Sequence, residues 1–218
     1  MPMPMSTPAA HPEIPPRIGP SSGRPLWVRL SHWLIAFAVL IMVFSGWGIY
    51  NASPIFGGWR FPKSVTLGGW LGGAIQWHFA AMWIVAFCSA LYLTLNLVTR
   101  RLFRQFLPLS PGGFVRDLGA AFRGKLSHDI NGSYNAIQKV AYLSVFVALI
   151  VVTLSGLAIW KPVQLRLLAD AFGGFDTARI VHFFAMAFLV AFFVVHIVMV
   201  ALVPRSLLAM LTSSKGQK

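Results

Sequence analysis

The chain has 218 residues, of which 57% are hydrophobic and only 11% charged, and its formal net charge is +13. Soluble domains carry about 25% charged residues, and a water-soluble domain of this size has no interior large enough to hide so much apolar surface. A soluble globular enzyme and a disordered chain are therefore largely excluded, and the composition points to one membrane domain.

Residues 1–25 hold 8 of the 14 prolines and show no apolar period. They are expected to form a disordered tail. The tail lacks the apolar core of a signal peptide, and the run after it is too long to be one. Four long apolar runs follow: WVRLSHWLIAFAVLIMVFSGWGIY at 27–50, IQWHFAAMWIVAFCSALYLTLNLV at 75–98, VAYLSVFVALIVVTLSGLAIW at 140–160 and IVHFFAMAFLVAFFVVHIVMVALV at 180–203. Each has 21 to 24 residues, enough to cross a hydrocarbon layer of about 30 Å. The only charge inside any of them is Arg29, near an end. A charge at mid-bilayer costs at least about 2.5 kcal/mol, so its absence fits spanning segments. Backbone groups must bond one another in lipid, which makes the spans helices. The expected fold is an all-α membrane protein, a bundle of four transmembrane helices within residues 26–212, followed by a short tail at 213–218.

The basic excess reads as loops flanking apolar spans beside anionic membrane lipid, not as a nucleic-acid surface. Lys and Arg number 13 on the side that holds the two termini and the 100–139 loop, against 5 on the other. The positive-inside rule then puts both termini in the cytoplasm of a bacterial inner membrane protein. The single cysteine, Cys88, lies in an apolar run, cannot form an internal disulfide and says nothing about redox compartment. The first span ends SGWGIY and the third ends SGLAIW. The echo fits an old duplication and a shared packing need equally well.

Six histidines occur. His11 and His128 fall in polar segments and read as solvated side chains. His32, His78, His182 and His196 fall inside the spans, where an ionisable group is a functional hypothesis by default. A helix–helix hydrogen bond accounts for a lone histidine as well, but these four sort by depth. His32 lies roughly 8 Å and His196 roughly 10 Å from the cytoplasmic ends of their spans, while His78 lies roughly 5 Å and His182 roughly 3 Å from the outer ends. His182 and His196 are 14 residues apart, so they point within roughly 40° of each other at a separation of roughly 21 Å. One face of one helix thus offers an imidazole to each level, and two other helices supply the partners. Two stacked porphyrins, each with two axial imidazoles, ask this of a bundle.

Competing readings fit less well. Zinc or copper sites want three or four ligands at one level, and each level here offers two. No carboxylate lies inside a span, so a proton or cation path lacks its usual acid. Met42, Met82, Met186 and Met199 read as core packing. Gly46 and Gly156 leave room for a flat macrocycle or for a close helix contact. Arg29 stands one turn before His32 and Arg179 one turn before His182, and Lys161 closes the third span on the same side as Arg179; each reads as a propionate partner or as an ordinary snorkelling cation.

RLSHW at 29–33, QWHFA at 76–80, ARIVHFFAM at 178–186 and VVHIVMVALVPR at 194–205 resemble the bacterial dihaem b-type cytochromes. That family includes bacterial cytochrome b561, the cytochrome b subunit of nickel-iron hydrogenases and the gamma subunit of formate dehydrogenase. SGLAIWKPVQ at 155–164 and FGGFDTARIVHF at 172–183 are similar to its cytochrome b/b6-domain branch, often associated with a molybdopterin-dependent oxidoreductase. The resemblance implies two haem b groups, an inner one on His32 and His196 and an outer one on His78 and His182. It implies electron transfer between an extracytoplasmic oxidoreductase and the membrane quinone pool, with no catalytic residue in this chain. It also implies a quinone site at the start of the third helix, where Tyr134, Asn135 and Gln138 are the candidates; a helix-entry cap explains the same residues. A homodimer is compatible with this reading. The alternative within the family is a stand-alone superoxide:quinone oxidoreductase, with Arg60, Lys63, Lys161, Arg166 and Arg179 steering the anion. A haem-free transporter or assembly factor is the third class, and the depth-matched histidines argue against it.

Overall fold

A run of apolar residues with no interior charge has one stable form in lipid, the helix, and four such helices dominate the computed structural model. It describes residues 26–98 and 136–202 together with Leu207, Met210 and Leu211. Helix α1 spans Leu26–Ala52, α2 Leu71–Val98, α3 Ala136–Trp160, α4 Arg166–Ala171 and α5 Phe175–Leu202. Four of them, α1, α2, α3 and α5, are long and apolar enough to cross a membrane. No strand occurs among the described residues. The expected tail at 1–25 and most of the 100–139 loop lie outside the described residues, as do His11 and His128.

The helices form two hairpins. Helix α1 packs along α2, and α3 packs along α5, while close backbone contact between the hairpins is sparse. Among the described residues only small side chains are fully covered. Ala38, Ala74, Ala81, Ala158 and Ala178 are essentially unexposed, whereas Phe37, Trp83, Phe87 and Val195 point outward. Small residues let helix backbones approach in lipid, and large apolar ones face the acyl chains.

The helices run past the apolar segments from which they were expected. Helix α2 begins four residues before residue 75, and α5 five residues before residue 180. At α5 the cause is local. Gly173 and Gly174 take positive φ of +81° and +94°, which ends the preceding turn, and Asp176 sits in the first turn of the new helix. The six-residue α4 was not expected, because its RLLADA sequence is too short for a period to declare itself. An alanine contact seats it. Ala169 of α4 sits on Ala158 of α3 and Ala178 of α5, flanked by Ile159, Leu168 and Phe172.

The connection between α1 and α2 is also tied down. Asn51 donates to the Phe61 carbonyl at 2.9 Å and accepts from the Phe61 N–H at 2.8 Å. The Leu67 N–H bonds the Phe44 carbonyl of α1 at 3.0 Å, and this approach passes over Gly48, where a Cβ would meet the Leu67 oxygen at 3.0 Å. Both connections therefore fold back over the same end of the bundle.

The alanine contact makes a test. Ala178→Leu overfills a site with no exposed surface and is expected to cost about 1–3 kcal/mol, read as a lower midpoint of thermal unfolding in mild detergent. Leu167→Ala, at a position 88% exposed, is expected to leave the midpoint unchanged.

Candidate cofactor site

Two histidine pairs form, and each joins one hairpin to the other. His78 of α2 faces His182 of α5 with ring centroids 6.4 Å apart and planes 62° apart. His32 of α1 faces His196 of α5 at 6.3 Å, also with planes 62° apart. The histidines expected to share a depth stand next to each other in the structure. Helix α5 serves both, as its 14-residue histidine spacing requires. The first pair lies toward the interhelical connections and is called the loop-side pair; the second lies toward the ends of the described chain and is called the termini-side pair.

The separations carry chemical information. Two imidazoles on opposite sides of one metal ion, with bonds of about 2.0 Å and about 1.1 Å from nitrogen to ring centre, have centroids roughly 6.2 Å apart. Both pairs stand within a few tenths of an ångström of that value. Two imidazoles alone do not complete a tetrahedral or octahedral site, and no group of three or more His, Cys, Asp or Glu residues that could hold a bare ion occurs among the described residues. A ring-borne metal with four equatorial nitrogens of its own needs only the two axial ligands present at each level. The donor set therefore fits haem.

The loop-side pair shows which nitrogen is free to bind. His78 Nδ1 lies 3.1 Å from the Met42 carbonyl and 3.2 Å from Ser45 Oγ. His182 Nδ1 lies 2.9 Å from the Val152 carbonyl and 3.2 Å from Ser155 Oγ. A carbonyl only accepts, so Nδ1 carries the proton in both rings and Nε2 keeps its lone pair, as metal ligation requires. The glycine after each serine borders the same ring. A Cβ at Gly156 would stand 3.1 Å from His182 Cε1, and one at Gly46 would stand 3.5 Å from His78 Cε1. The room these glycines leave goes first to the imidazoles.

The termini-side rings keep different company. His32 meets Trp33 edge-on at 5.5 Å, and His196 lies nearly parallel to Phe192, one turn earlier, at 6.2 Å. Among the described residues neither ring has a hydrogen-bond partner. Met42 takes part through its backbone carbonyl and not through its thioether.

The three candidate propionate partners stand at the expected ends, each with a protein partner already. Arg29 donates to the carbonyls of Met210, at 3.0 Å, and Leu211, which ties the start of α1 to the last described turn. Arg179 donates to the Ser53 carbonyl and lies 3.9 Å from Asp176, tying α5 to the end of α1. Lys161 Nζ lies 4.9 Å over the Trp160 ring. Of the quinone candidates, Gln138 falls in the first turn of α3, its side chain among those not described, and Tyr134 and Asn135 lie outside the described residues.

Ser45 and Ser155 were not singled out from the sequence as site residues. The signal was the SG echo: the same dipeptide near the end of the first and third spans, each followed by a histidine-bearing span.

A family model described as prokaryotic cytochrome b561 matches residues 23–213. A curated relative from Azospira oryzae, named putative protein-methionine-sulfoxide reductase subunit YedZ1, is 53% identical over 187 residues, covering 86% of this chain and 94% of the relative. No solved structure matches the chain.

The two glycines are expected to separate experimentally. Replacing a helical glycine by alanine gains up to about 1 kcal/mol of helix propensity. At Gly46 that gain meets ordinary contact, whereas at Gly156 the new methyl crowds the imidazole. Gly46→Ala should keep the visible absorption of the purified protein, and Gly156→Ala should diminish it; absorption measured at equal protein concentration checks this.

Proposed function

The chain belongs to the prokaryotic cytochrome b561 family, and on that premise we propose that it is the membrane electron-transfer subunit of a two-component oxidoreductase. It binds two b-type haems, one between His78 and His182 and one between His32 and His196. It carries electrons from membrane quinol to a partner reductase docked on the loop side. The observation that carries this reading is the pair of imidazole separations, 6.4 and 6.3 Å, each spanning the two hairpins at its own depth.

When bound, haem supplies a reversible one-electron carrier at each level. The protein residues do the rest. The four histidines present neutral imidazoles, and the carbonyls of Met42 and Val152 fix the tautomer of two of them. The apolar walls of α1, α2, α3 and α5 exclude water, so the chain itself carries no proton along the path. Arg29 at one end and Lys161 and Arg179 at the other are the cations that would receive haem carboxylates. Gln138 in the first turn of α3, with Tyr134 and Asn135 just before it in the sequence, is the proposed quinone contact.

The name of the Azospira relative supports a choice of partner and direction. Reduction of a methionine sulfoxide to methionine and water takes two electrons and two protons, so a subunit of such a reductase delivers electrons to its partner. For the present chain the partner is accordingly proposed to be a protein-methionine-sulfoxide reductase of the molybdopterin type, on the extracytoplasmic face. Both termini are proposed to be cytoplasmic, from the basic excess on their side of the bundle.

Ligand substitutions test the assignment. His78→Ala and His182→Ala should each remove one haem, the same one; His32→Ala and His196→Ala should each remove the other. Absorption and redox titration of the purified variants would read this, and loss of the same haem from His32→Ala and His78→Ala would contradict the pairing. In vesicles holding the wild-type chain and quinol, electron delivery should require the reductase partner. Rapid quinone reduction by superoxide with the isolated chain would instead favour the stand-alone enzyme.

A further inference from the structure

We propose that Ser45 and Ser155 are paired positioning residues that set the donor strength and ring orientation of the loop-side histidines, a device with no counterpart at the termini-side pair among the described residues. The inference rests on the reading of those histidines as axial ligands.

Each serine is completely buried inside an apolar helix. A buried hydroxyl costs stability unless it is bonded, and each bonds back along its own helix, Ser45 to the Ile41 carbonyl and Ser155 to the Val151 carbonyl, both at 2.6 Å. That bond satisfies the hydroxyl proton. A serine serving only itself would need nothing more, and alanine would suit the helix better. The second contact is unexplained by that account: Oγ lies 3.2 Å from the histidine Nδ1 in both copies. A hydroxyl has one proton, and here it is directed at the carbonyl one turn back. The oxygen can then only accept, and Nδ1 carries the proton to be accepted. Each Nδ1–H is thus shared between a backbone carbonyl and a serine oxygen.

The arrangement occurs twice with the same parts. The first helix of each hairpin contributes a serine, the glycine after it and a carbonyl one turn before that glycine's neighbour in the groove; the second contributes the histidine. The distances agree between copies to within 0.2 Å for the carbonyl contact, 3.1 against 2.9 Å, and match at 3.2 Å for the serine contact. Among the described residues nothing comparable meets His32 or His196, whose neighbours are the Trp33 and Phe192 rings.

The consequence is electronic and directional. An acceptor on Nδ1–H raises the basicity of the opposite nitrogen, and a more basic axial ligand favours the oxidised metal. Two acceptors per ring, on both rings of one pair, lower the reduction potential of the loop-side centre and leave the termini-side centre untouched. Two acceptors at an angle also hold the ring plane more firmly than one.

Redox titration and electron paramagnetic resonance of the full chain with its cofactors test this, using Ser45→Ala, Ser155→Ala and the matched pair Ser155→Thr and Ser155→Val. The threonine hydroxyl can make the same back-bond, and valine has the same shape without it. The Ala and Val variants are expected to shift the loop-side reduction equilibrium toward the reduced form by about three- to tenfold, where tenfold is about 59 mV for one electron. Its ferric signal should change, and the other centre should stay as in wild type; Thr should behave as wild type. If Ser155→Val loses the loop-side haem while Ser155→Thr keeps it, the proposal also stands. Ala and Val variants that titrate as wild type, Thr and Val variants that change alike, or a shift confined to the termini-side centre would overturn it. A wild-type chain that binds no haem would overturn the ligand assignment itself, so the two failures are distinguishable.

Discussion

The organisation of this bundle depends on half-buried histidines that bridge two helical hairpins whose backbones make few close contacts among the described residues. An imidazole in an apolar interior is costly unless each nitrogen has a partner. At the loop-side level the cost is met on one side by a carbonyl and a serine of the neighbouring helix. The other nitrogen is left with its lone pair, facing the histidine of the opposite hairpin. A metal centre is the partner that such a nitrogen accepts most strongly, and the ring separations leave the length of two coordinate bonds between the members of each pair.

Placement follows from connectivity. Within a hairpin, α1 packs on α2 and α3 packs on α5, and neither histidine pair forms there. Both pairs bridge the hairpins, and α5 contributes to each. Cofactors held in this way would be part of the interface and not guests in a finished protein, so assembly of the bundle and loading of the sites are expected to be coupled. The alanine contact among α3, α4 and α5 and the Arg179 bond to Ser53 fasten the loop side, and Arg29 fastens the other end to the last described turn.

Much of this was legible in the sequence because lipid imposes strong rules. Runs of sufficient length with no charge in their middle gave the four spans, and the histidine depths with the 14-residue spacing in α5 indicated which rings would lie near each other. The signals that failed were short or relational. Helix α4 is too brief for a period, and the start of α5 is set by the conformations of Gly173 and Gly174 and not by hydropathy. Ser45 and Ser155 were hidden for a different reason. A serine in a membrane helix is common, and its role appears only when a histidine from the next helix is seen against it. The SG echo marked the place, but a single dipeptide does not say what it touches.

The account stands most directly on the number and kind of iron centres in the purified protein. Spin-quantified electron paramagnetic resonance of the oxidised, full-length chain should show two low-spin ferric centres per chain. Both should have the strong anisotropy expected of crossed imidazole planes, in keeping with the 62° found at each level. A single such centre per chain, a centre with a methionine ligand, or none at all would contradict it.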